Sequence, residues 1–207
     1  MSLPYLLVDS PKSYTLTVAL AHGAGAPMDS EFMAFFATGL ATRGYRTVRF
    51  EFPYMAERRV NGKKRPPDRQ PKLMKSWQTI INEIGPDSLV IGGKSMGGRI
   101  ATLIADSCNV MGVIALGYPF LSAGKRDKSR LEHLKDILTP TLICQGTRDP
   151  MGSFDAISRI TLSHRIQYHW SENGDHSLKP GKKSGRTTEQ NWMAALNACD
   201  NFLHRLS

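Results

Sequence analysis

No apolar run in this 207-residue chain approaches the ~20 residues a membrane-spanning helix requires. The nearest thing to a leader, residues 3–8, is interrupted by Pro4 and followed by Asp9, too short for a secretory signal. The expectation is a cytoplasmic protein with no membrane partner. Cysteine is scarce: Cys108, Cys144 and Cys199 are odd in number and widely spaced, which excludes a disulfide framework and the paired spacing of zinc sites. They read as reduced packing residues, and no metal site is expected. Acidic residues are in deficit too, 18 against 27 basic ones, and the net charge of +9 favours anionic partners through the summed field. Internal repeats are lacking, which excludes a solenoid. A hydrophobic content of 41% over this length suits one buried core and is short for two, so a single domain spanning 1–207 is expected.

What is present centres on residues 88–101. A short apolar run at Leu89-Val90-Ile91 ends in Gly92-Gly93-Lys94-Ser95-Met96-Gly97-Gly98, after which Ile100, Leu103 and Ile104 continue from Met96 at helical spacing. This predicts strand, sharp turn, helix. Gly93-x-Ser95-x-Gly97 fits a nucleophile elbow, in which flanking positions almost without side chains let neighbouring backbone come close and leave the serine exposed above the sheet. A phosphate-binding loop would need glycine where Ser88 stands, and a flexible loop where the strand runs. The plainer alternative is a tight glycine junction with Ser95 as a helix cap. The rest of the chain decides between them.

Strand patterns at 14–21, 45–52, 89–91, 110–116, 141–144 and 165–170 alternate with helical ones. That alternation predicts an α/β protein: a mostly parallel sheet of about six or seven strands flanked by helices on both faces, without a lid domain. Residues 54–75, basic and punctuated by Pro66, Pro67 and Pro71, are expected to form a surface excursion, and 125–130 a charged loop. Reactive groups in such sheets lie at the carboxyl ends of strands. His22, Ser95, Tyr118, Asp149 and His176 all fall there.

A serine hydroxyl needs a base to take its proton, and the base needs an acid to fix its tautomer. Ser95, Asp149 and His176 supply these types in the order serine, acid, histidine. Asp175 and Glu172 are alternative acids, but sequence neighbours on extended backbone point apart. His22 precedes a glycine loop and is expected to shape it, with the amides of Ala24 and Met96 forming an oxyanion hole. His133, His164, His169 and His204 read as surface or packing residues. Tyr118 and Phe120 are expected to wall a substrate pocket, with core packing the competing reading. Arg58 and Arg59 are expected to rim it and select an anionic substrate. Arg99 reads as structural.

The segments His22-Gly23-Ala24-Gly25, residues 49–54, residues 92–99, Gly117-Tyr118-Pro119-Phe120, residues 145–150 and Asp175-His176-Ser177-Leu178-Lys179 together resemble an α/β-hydrolase of the dienelactone-hydrolase-like branch. More narrowly, the chain resembles small bacterial hydrolases related to a subunit of the animal non-specific-lethal histone-acetylation complex. The resemblance implies Ser95, Asp149 and His176 as a triad and no cofactor. Dienelactone hydrolases proper carry cysteine where Ser95 stands, so their substrate is not carried over. The expected function is a serine hydrolase cleaving an ester or thioester, an anionic one included, through an acyl-enzyme. The animal relative implies the alternative: a weak or inactive interaction module using the basic face of 54–75, Lys125, Arg126, Lys182 and Lys183. Nucleic acid is not an expected partner, because the basic stretch lacks interleaved aromatics for base stacking.

Overall fold

A computed structural model describes residues 5–121 and 130–206. The charged loop containing Lys125 and Arg126 lies outside them. Seven strands form one sheet in the order β1-β3-β2-β4-β5-β6-β7. Six are parallel: β2 (Thr17–Ala21), β3 (Arg46–Phe50), β4 (Leu89–Lys94), β5 (Gly112–Leu116), β6 (Thr141–Gly146) and β7 (Ile166–Ser171). The seventh, β1 (Leu6–Asp9), runs antiparallel along the outer edge of β3. No helix among the described residues is long and apolar enough to cross a membrane.

The central strands are apolar throughout because both of their faces are covered. Val18, Leu20, Val90, Ile114, Leu116, Leu142 and Cys144 point to the face packed by α1 (Glu31–Ala41) and α7 (Thr188–His204). Ala19, Ala21, Leu89, Ile91 and Val113 point to the other, under α2 (Pro53–Asn61), α3 (Gln70–Ile84) and α4 (Met96–Cys108). There Trp77 of α3 is fully buried, edge-on to Phe50 with centroids 4.7 Å apart. The short helices α5 (Glu132–Asp136) and α6 (Phe154–Ile157) close a smaller cluster at the β6–β7 end. All three cysteines are free; Cys144 and Cys199 are buried with their sulfurs 3.9 Å apart.

One expectation is corrected. The 54–75 stretch is not a structureless excursion. Pro53 starts α2, where its missing N–H costs nothing, and Gly62 ends it in the left-handed conformation. Tyr54 and Met55 are buried beneath that helix, and α3 begins at Gln70. The loop proper is 62–69. The strand β1 completes the seven-stranded count; it is four residues long, too short for periodicity to reveal.

The topology also says where a site belongs. β2 leads into α1 on one face, whereas its neighbour β4 leads into α4 on the other. Between two strands whose connections diverge, the carboxyl ends leave a crevice.

Candidate active site

Ser95 stands at that crevice, between β4 and α4, with φ 50° and ψ −113°. A non-glycine residue at positive φ is strained and persists only where its surroundings impose it. Those surroundings are legible: a Cβ on Gly93 or on Gly97 would overlap the Ala21 carbonyl oxygen of β2. The two glycines let β4 and α4 close on β2, and the Ser95 amide donates to Leu116 O of β5 at 3.0 Å. The serine is thus lifted above the sheet on a fixed backbone.

His176 and Asp149 meet it there. The Ser95 hydroxyl lies 2.8 Å from His176 Nε2, and His176 Nδ1 lies 2.7 Å from Asp149 Oδ2. A carboxylate can only accept, so Nδ1 carries the proton and Nε2 is left to accept from Ser95. Asp149 is completely buried and fully engaged. Gln145 Nε2 donates to its Oδ2 at 2.7 Å, and the Met151 amide donates to Oδ1 at 2.7 Å. Gln145, near the end of β6, also accepts from the Tyr118 amide at 2.7 Å, joining the acid to the β5 loop.

The loop carrying His176 is clamped from three sides. Trp192 Nε1 donates to Ser177 O at 2.9 Å, Asn191 Nδ2 to Leu178 O at 2.9 Å, and Arg148 Nε to Asn173 O at 2.7 Å. Asp175, an alternative acid by sequence, instead accepts the Ser177 and Lys179 amides and shapes the turn. Glu172 faces Arg186 at 3.6 Å.

His22 is buried, with Nδ1 donating to Gly23 O at 2.6 Å and Nε2 accepting from the Phe52 amide at 3.1 Å. Burial lowers its pKa and keeps it neutral. Tyr54 Oη donates to the Ala24 carbonyl at 3.0 Å. Both side chains hold carbonyls of the glycine loop in fixed hydrogen bonds. Ala24 itself lines the cavity, and Met96 is the first residue of α4, where the amide has no intrahelical partner.

The cavity above Ser95 measures about 540 Å³, a size suited to a small-molecule ligand. Phe32, Met33, Met151 and Trp192 form its apolar wall, and Ser95, His176, Lys94 and Lys179 its polar one. Tyr118 and Phe120 are not part of it, which corrects the expectation that they wall a pocket. Both are completely buried and their rings pack at 4.7 Å in the β6–β7 cluster, with Tyr118 Oη donating to Arg130 O at 2.9 Å. Arg59 is also turned away: its guanidinium grips Glu51 at 2.6 and 3.0 Å and Asp29 at 2.9 and 3.0 Å. Arg58 donates to Gly25 O at 3.2 Å, beside the cavity mouth. Gln145, Asn191 and Lys94 carry no motif of their own, and sequence reading assigned them no role. The one available signal was Lys94 filling the variable position of the elbow.

Sheet order, the elbow and the absence of any inserted lid among the described residues define an α/β-hydrolase fold of the lidless kind. Residues 14–204 match the family described as Alpha/beta hydrolase domain, and the chain belongs to it. Solved structures agree on the fold. An α/β serine hydrolase without lid from Xanthomonas campestris superposes with a TM-score of 0.71 at 19% identity, covering 97% of this chain and 88% of that one. A dienelactone hydrolase from Anabaena variabilis gives 0.72 at 18% identity, with 97% and 90% covered. An α/β serine hydrolase homologue from Coxiella burnetii gives 0.68 at 18%, with 97% and 89% covered.

Proposed function

We propose that this hydrolase cleaves carboxylic esters or thioesters through an acyl-enzyme formed on Ser95. The observation that carries this is the unbroken relay from Ser95 Oγ through both His176 nitrogens to buried Asp149, opening on a cavity. His176 Nε2 takes the hydroxyl proton as Ser95 Oγ attacks the carbonyl carbon, and Asp149 steadies the imidazolium. The amides of Ala24 and Met96 donate to the oxyanion. Collapse expels the alcohol or thiol, which leaves with the proton from Nε2. Water then repeats the sequence on the acyl-serine, releasing the acid and restoring the hydroxyl.

The interaction-module alternative draws less support, because three of the basic residues of 54–75 are already paired with acids. Arg59 is spent on Glu51 and Asp29, Arg65 pairs with Glu57 and Asp68, and Lys72 pairs with Asp68. A fluorophosphonate probe tests the enzyme reading. Wild type is expected to label at Ser95, and Ser95→Ala to lose both label and at least ~10³-fold in kcat on 4-nitrophenyl butyrate. Labelling that survives the substitution removes Ser95 from the mechanism.

A further inference from the structure

Lys94 ends β4 one residue before Ser95 and lines the same cavity. Its ammonium donates to the main-chain oxygen of His176 at 2.5 Å and sits 5.4 Å from the centre of the Phe32 ring. An ammonium has three donors, and that bond uses one. Among the described residues no carboxylate is in ion-pair contact with it. Burial pushes its pKa down to about 8 even though the Asp149 and Asp175 carboxylates pull the other way. Room for the cation is built into the backbone. Gly117 has φ 68°, and a Cβ there would run into both His176 O and Lys94 Nζ.

Asp149 and Asp175 act on this cation only from beyond ion-pair contact, and an enclosed ammonium that no carboxylate touches is unfavourable unless something supplies the missing partner. The His176 oxygen could be held by a neutral donor, so tethering alone does not account for an ammonium. Most of the other charge around the cavity has the same sign. Lys179 stands on its wall with Nζ 5.7 Å from the Trp192 ring, and the α1 N-terminus opens on it with the Ser30 side chain making no capping bond. Among the described residues, Glu31 is the only acid on the lining.

Accepting the hydrolase reading above, we propose that Lys94 is a specificity-determining residue: its ammonium pairs with a carboxylate carried by the substrate, so that the cavity selects anionic esters over neutral ones. This moves charge selection from Arg58 and Arg59 to the floor of the site.

The test compares matched substrates. Mono-4-nitrophenyl adipate against its methyl ester places the carboxylate on the acyl side. 4-Carboxyphenyl butyrate against its methyl ester places it on the leaving group. Wild type is expected to favour the anionic member of one pair by at least ~10-fold in kcat/KM, a typical return for one charged hydrogen bond. Lys94→Met is expected to erase that preference through KM, and Lys94→Arg to keep more of it than Lys94→Met. In unmodified enzyme the preference should decline as pH rises through 8, where the ammonium, faced by Glu31, Asp149, Asp175, His176 and Lys179, deprotonates. Equal losses on both members of each pair in Lys94→Met would mean that Lys94 only tethers the His176 loop, and would overturn the proposal. So would a wild type that favours neither anion. Failure of Ser95 to label in wild type would instead strike the parent reading.

Discussion

At the scale of single residues, the acid of the relay is held by an amide that contributes no chemistry. Replacing Gln145 with Leu removes a donor from Asp149 Oδ2 and leaves the buried Tyr118 amide without its acceptor. Such a loss costs about 1–3 kcal/mol. We therefore expect urea denaturation to show a stability loss of that size, and steady-state assays on a neutral ester to show kcat falling as Asp149 loses its fixed position, with KM nearly unchanged. Lys94 gives a prediction of opposite sign. A base whose folded pKa is lowered binds fewer protons than the unfolded chain between the two values, so folding gains stability as pH rises from about 8 towards 10.5. Other groups titrate there too, which makes the difference between wild type and Lys94→Met the useful quantity. Urea denaturation at pH 7.5 and 9.5 should show wild type gaining about 1–3 kcal/mol relative to the variant.

Among the elements, α2 separates what the chain declares from what it conceals. The elbow and the strands β2, β4, β5 and β6 are legible because each joins two agreeing signals, a buried run and a glycine-bearing end, whereas β3 shows its run and stops before Pro53. The helix α2 offers only Tyr54 and Met55 to the core, and beyond them Glu57, Arg58 and Arg59 are followed by an exposed Val60, which leaves no apolar period to read. Its charges find partners far along the chain, as Arg59 finds Asp29, and such pairing leaves no local trace. Tyr118 and Phe120 mislead for a related reason: an aromatic at a strand end looks alike whether it turns towards a cavity or a core. The role of Arg59 can be checked directly. Arg59→Ala strands the buried Glu51, whose other contact is the Met28 amide at 3.4 Å. We expect a stability loss of about 1–3 kcal/mol by urea denaturation, smaller than for a fully buried pair because Arg59 is 41% exposed. The ratio of activities on anionic and neutral esters should not change.

Over the whole molecule, a site with no lid among the described residues has no closed state to open at an oil–water boundary. Rates on tributyrin should rise smoothly across its solubility limit, without the jump that a lid produces. An abrupt increase there would show a cover in action. The relay also joins distant parts of the polypeptide: the Ser95–His176 bond closes a separation of 81 residues, and the His176–Asp149 bond one of 27. Contacts so remote along the chain are late events in folding, since loop closure must precede them. Ester turnover during refolding should therefore lag behind the recovery of helical circular dichroism. On the proposed mechanism no severed half of this polypeptide should turn over ester on its own, so that turnover would gauge whether the last strand has docked.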